Sequence, residues 1–177
     1  MLTQISALSA CISAFVLGGS AIGQVGGVGG FGHVDPEPWI EPSCETFYVS
    51  PDVLFGDDNN SGTVYKPFLT INHAIWVASQ AKPSVVVLMP GIYSGGTNGE
   101  WYPIAMEDDV SLQGFGATNT VLKSDGWSDV LLFQANGLDY STTYVDSLTL
   151  TDGESGVSMV SEFDEVGPTI SNCVMAD

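Results

Sequence analysis

The sequence predicts an all-β fold, a parallel β-helix (solenoid) with one short helix near its start, and three observations carry this. Five consecutive apolar residues, Val85-Val86-Val87-Leu88-Met89, are stopped by Pro90-Gly91 and read as a strand buried on both faces. Short strand patterns then recur, separated by Gly, Asn and Asp turns. Their spacing is 24 residues from Leu88 to Leu112 and 22 from Leu148 to Ile170. The 36 residues between Leu112 and Leu148 then imply an insertion in one turn of a repeating coil. A β-sandwich is the competing reading, but its strands would alternate more cleanly than Val85–Met89 does.

Residues 1–23 hold an apolar run, Ala10 to Leu17, followed by small residues through Ser20-Ala21-Ile22-Gly23. The run is too short to span a bilayer and resembles a secretory signal cleaved between Ala21 and Gln24. No Lys or Arg precedes it, which departs from the usual pattern. Leu8-Ser9-Ala10-Cys11 resembles a lipoprotein box, but the apolar core lies mostly after Cys11, the wrong side for lipidation. About 150 residues would follow the signal, one domain's worth of chain. Residues 24–46 read as a leader: Gly-rich to Gly32, then stiffened by Pro36, Pro38 and Pro42, with Trp39 standing out among the prolines.

The β-helix domain is expected over 47–177, as a cap and about four coils. Phe47-Tyr48-Val49-Ser50 is a short strand closed by Pro51. Gly56-Asp57-Asp58-Asn59-Asn60-Ser61-Gly62 is a run of turn-formers. The spacing of Asp57, Asn59 and Ser61 also matches the first half of a calcium loop, although Phe68 stands where that loop needs a bidentate Glu. Ile71, Ala74, Ile75 and Ala78 share one helical face, which predicts a helix over Ile71–Ala81, capped by Thr70 and stopped by Pro83. Further strands are expected around Tyr102–Ile104, Asp109–Gly114, Thr120–Leu122, Val130–Phe133, Tyr144–Leu150, Gly156–Val160 and Pro168–Met175. The chain stops about one strand into a new coil, so further coils or another chain are expected at an open C-terminal edge.

Composition narrows function more by exclusion than by assignment. Twenty-one Asp and Glu face three Lys and no Arg, for a net charge of -18. Such a chain repels phosphate backbones and anionic lipid, so neither nucleic acid nor a membrane is an expected partner. Cys44 and Cys173 form an even pair after signal removal, but Cys173 lies in a strand pattern and reads better as a small buried side chain. His73 stands at a helix start with no second His or Cys nearby and reads as structural.

The segments Phe47–Ser50, Gly56–Asp58, Ser61–Thr63, Lys66–Ile71 and Val87–Tyr93, with Val110–Gly116, Ser147–Gly153 and Pro168–Cys173, resemble one family. It is the DUF1565-type right-handed parallel β-helix family, kin to the pectate-lyase-like superfamily. The resemblance implies that the Ile71–Ala81 helix caps the first coil and shields its core. It implies little about activity, because the family is defined by its scaffold.

Pectate lyases of the superfamily use a basic residue beside calcium-binding acids, and none of the three Lys lies in such a cluster. Glycosidases use paired carboxylates. The doublet Asp108-Asp109 precedes a strand at a turn, where solvated acids are common, and neighbours in a strand point to opposite faces. Asp125, Asp129, Asp139, Asp146, Asp152, Glu154, Glu162, Asp164 and Glu165 scatter through later turns. No catalytic set emerges. Trp101, Tyr102, Trp127 and Tyr140 are the candidate ligand-binding residues, as platforms for sugar rings; the competing role is to plug turns and cover coil ends. The expected protein is a secreted or cell-surface β-helix module, a non-catalytic scaffold or polysaccharide-binding surface with no cofactor beyond a calcium ion at Asp57, Asn59 and Ser61. The alternative is the N-terminal part of a polysaccharide lyase or glycoside hydrolase whose active site lies elsewhere.

Overall fold

The apolar run at Val85 does form a strand with both faces buried, and parallel strands stack on it from either side. The computed structural model describes residues 44–135, 139–161 and 167–176. The export signal, the leader up to residue 43, and Glu162, Asp164 and Glu165 lie outside the described residues. β1 (Glu45–Val49) and the helix α1 (Ile71–Ala78) come first. One turn of the coil follows as β2 (Ser84–Leu88), β3 (Gly91–Tyr93) and β4 (Ile104–Met106). The next is β5 (Val110–Gly114), β6 (Thr120–Lys123) and β7 (Leu131–Ala135). Then come β8 (Tyr144–Asp146), β9 (Thr149–Thr151) and β10 (Val157–Ser161), and after them β11 (Thr169–Ser171) and β12 (Val174–Ala176).

Each turn gives one strand to each of three sheets, ordered β1-β2-β5-β8-β11, β3-β6-β9-β12 and β4-β7-β10. All strand pairs are parallel. Among the described residues this is a β-solenoid of about three full turns, with β11 and β12 beginning another. Its interior is a file of apolar side chains, with Val86, Leu112 and Val145 in adjacent rungs and all fully buried. Burying each such side chain contributes about 1.5–3 kcal/mol.

The register differs from the expected one. Leu88 stands opposite Gly114, not Leu112, and Ile170 stands opposite Val145, not Leu148. The reason lies at the corner between the first two sheets. Ser147 and Asn172 take left-handed backbone conformations there (φ 60° and 51°) and bend the chain. That bend splits the continuous patterns at Tyr144–Leu150 and Pro168–Met175 into two strands each. Gly114 occupies the same corner because the next turn presses on it: a Cβ there would lie 2.2 Å from the Ser147 carbonyl oxygen. Glycine alone fits.

Helix α1 closes the N-terminal end of the core. Its buried residues are Ile71, Ala74, Ile75 and Ala78, the face its spacing predicts. The Thr70 side chain accepts a hydrogen bond from the His73 N–H (3.3 Å), as an N-cap should. The helix ends at Ala78, three residues short of the expected Ala81. There the Ser79 hydroxyl donates to the Trp76 carbonyl (2.8 Å) and the chain turns toward β2. β1 also takes in Glu45 and Thr46, which the sequence assigns to the leader. Cys173 is a free, half-buried thiol, so Cys44 and Cys173 are not bridged.

Candidate functional site

Next to the cap, the loop after β3 (residues 94–103) rises from the coil and faces the turn that follows β6. Between them lies a cleft of about 460 Å³, lined by Ser94, Trp101, Tyr102, Lys123 and Asp125 among others. The loop is held from below. The Asn98 side chain accepts from the Ser94 N–H (3.0 Å) and donates to the Leu69 carbonyl (2.9 Å). The Tyr102 hydroxyl donates to the Tyr93 carbonyl (2.7 Å), and burial raises the pKa of this phenol well above its ordinary range, so it stays protonated.

The strongest anchor is Glu100, which the sequence reading missed. Its side chain is only 2% exposed, yet it carries a carboxylate. That carboxylate accepts from the Ile71 N–H (2.6 Å), the Asn72 N–H (3.2 Å) and the Asn72 side-chain amide (2.7 Å). It thereby satisfies donors that the first turn of a helix leaves without partners, and it sits where the helix dipole favours negative charge. Burial raises its pKa, and these hydrogen bonds act in the opposite direction. The Asn72 amide also donates to the Trp101 carbonyl (2.8 Å), so the helix start fixes the backbone that carries the indole. α1 has no acid in its own first turn, and Glu100 supplies the negative charge there from a distant loop.

The opposite wall is a tight turn. Asp125 Oδ1 accepts from the backbone N–H groups of Trp127 and Ser128, both at 3.0 Å. The Trp127 N–H in particular holds the Asp125 carboxyl below its ordinary pKa. Gly126 takes φ 84° to close the turn. Lys123 pairs with Asp152 at 3.0 Å, and this cation lowers the Asp152 pKa.

Trp101 is 75% exposed and lines the cleft with Tyr102; Trp127, 86% exposed, stands on the turn that Asp125 holds. Of the four expected aromatics, Trp101 and Tyr102 thus line the cleft, and Trp127 stands on the turn next to Asp125 without lining it. Tyr140 is the correction. It is fully buried, packs edge-on against Phe133 and donates toward the Met106 carbonyl (3.0 Å), so it offers no face to a ligand. It takes the competing role, plugging a turn: the ring fills the core while Asp139 and Ser141 beside it stay exposed.

At the Asp57 turn, Asp57 Oδ1 accepts from both the backbone and side-chain nitrogens of Asn59 (2.9 and 2.8 Å). The neighbouring Asp58 has a structural task, accepting from the Leu69 N–H, the Thr70 N–H and the Thr70 hydroxyl ahead of α1. Among the described residues, no group of three or more His, Cys, Asp or Glu side chains is gathered as a metal centre. Of the expected doublet, Asp108 pairs with Lys82 and Asp109 accepts from the Thr142 hydroxyl. His73 packs edge-on against Phe68. No helix among the described residues is long and apolar enough to cross a membrane.

The cleft can therefore stack a flat ring on the Trp101 indole and hydrogen-bond to polar groups through Ser94, Lys123 and Asp125. Comparison with curated proteins and with solved structures gives no match. The model of a family described as a protein of unknown function, DUF1565, matches residues 54–151. The match spans more than half of the sequence, and the chain belongs to the DUF1565 family.

Proposed function

We propose that this protein is a secreted or cell-surface β-solenoid module that binds carbohydrate in the cleft beside its helical cap. The observation that carries the reading is the exposed Trp101 ring, set at a mainly apolar cleft with a few polar groups on its wall, on a backbone that Glu100 and Asn72 hold in place. Leaving an indole in water is unfavourable unless a partner covers it, and a sugar ring's C–H face is a suitable partner. Polar groups at the cleft wall would satisfy the hydroxyls at the ring edge. The Glu100 oxygens already accept hydrogen bonds from the helix, which suits a binding role better than proton transfer.

The test is depletion of the protein from solution by a panel of insoluble polysaccharides, with release of soluble sugar measured in parallel. Binding without release is expected, and Trp101→Ala should weaken it by about tenfold or more while leaving the melting temperature unchanged. Retention of full binding by the Trp101→Ala variant would refute the cleft as the site.

A further inference from the structure

The cleft carries an asymmetry of charge that bears on which sugars it can accept. Lys123 is its only cation, and it is held by Asp152 at 3.0 Å. Two carboxyl side chains line it, Glu100, buried and turned to the start of α1, and Asp125, exposed at the rim. Asp125 takes part in none of the ion pairs among the described residues, which join Lys82 to Glu107 and Asp108, and Lys123 to Asp152. Its Oδ1 is fixed by two backbone N–H groups, so the carboxylate cannot swing away from the cleft mouth without undoing its own turn. The rest of the molecule adds to this local excess, with a net charge of -18. An anionic sugar entering here would meet a lysine already occupied and a carboxylate of its own sign.

We infer that the cleft selects amino sugars, whose ammonium group would lie against Asp125 while the ring stacks on Trp101, and that it rejects uronic acids. The inference rests on the carbohydrate-binding reading above and adds the charge class of the ligand. The chemistry is simple: a cation beside the fixed carboxylate gains a modest, solvent-screened attraction at this exposed rim, and the same position is repulsive for an anion.

The experiment compares three tetramers of matched length by calorimetry in mildly acidic buffer at low ionic strength: a glucosamine tetramer, its N-acetylated form and tetragalacturonate. The glucosamine tetramer should bind tightest and tetragalacturonate should not bind. Asp125→Asn keeps the oxygen that accepts from Trp127 and Ser128 but removes the charge. It should weaken the cationic tetramer by roughly two- to fivefold and leave the N-acetylated one unchanged. Lys123→Gln releases Asp152 and should strengthen the cationic tetramer. Glu45→Gln, at an exposed position outside the cleft, controls for attraction to the acidic surface as a whole.

Binding of tetragalacturonate as tight as that of the glucosamine tetramer overturns the inference and leaves sugar binding standing. A glucosamine tetramer no tighter than its N-acetylated form overturns it too, as does a loss in Glu45→Gln equal to that in Asp125→Asn. If no tetramer binds, the inference falls, and the polysaccharide panel decides separately whether the binding reading falls with it.

Discussion

Replacing Glu100 by alanine should destabilise the protein far more than its place in a loop suggests. The fully buried Ile71 N–H loses a partner at 2.6 Å, and the Asn72 N–H loses one at 3.2 Å. An orphaned buried donor costs about 1–3 kcal/mol. The vacated side-chain volume adds about 1 kcal/mol. Relief of a buried charge returns part of this, so a net loss of about 3 kcal/mol is expected, or roughly 10 °C in melting temperature for a domain of this size. Glu100→Gln keeps the shape and one acceptor but turns an N–H donor toward the helix, and should lose about 1–2 kcal/mol. The assay is urea unfolding followed by circular dichroism, run across the acid range. Burial raises the Glu100 pKa in the folded state above its unfolded value. Its contribution is therefore full below the ordinary carboxylate range and declines as pH rises through the raised value. The Gln variant should lack that decline. A loss under about 1 kcal/mol in Glu100→Ala would refute the account of Glu100 as the anchor of both helix and cleft.

The other predictions concern the scaffold and the Asp57 turn. Gly114→Ala places a Cβ 2.2 Å from the Ser147 carbonyl oxygen, and since that atom is backbone the two coils must separate locally. A loss of about 2–3 kcal/mol in urea unfolding is expected, and a variant as stable as the parent would show the corner to be slack. Chelator should leave the melting temperature unchanged, because Asp57 already closes its turn on Asn59. A fall of several degrees that calcium restores would assign Asp57, Asn59 and Ser61 to a cation.

The coil was legible in the sequence because its signals are local. A run of β-branched residues gave β2, and a 3.6-residue apolar period gave the buried face of α1. Register was not legible: aligning leucine with leucine ignores that the solenoid needs small or left-handed residues at its corners, and Gly114, Ser147 and Asn172 set the pairing. The strand at Gly91–Tyr93 was hidden inside the turn that Pro90-Gly91 announces. Trp101 and Tyr102 read as ligand-binding candidates, as Trp127 and Tyr140 did, because large aromatics among polar turns are conspicuous. Glu100 beside them did not, because its partners lie in a helix 28 and 29 residues away and no composition rule links the two.

The helix start and the cleft loop share their hydrogen bonds, so neither can open alone. Freeing the loop around Trp101 means breaking the bonds from Asn98 to Leu69, from the Ile71 N–H to Glu100 and from Asn72 to Trp101, which also loosens the first turn of α1. The two segments then exchange their amide protons as one cooperative unit. A sugar that never touches α1 should slow exchange at the Ile71 and Asn72 amides, by the factor through which it favours the closed loop. Occupancy at the rim would be readable at the end of the solenoid core, in a helix that contributes no atom to the ligand.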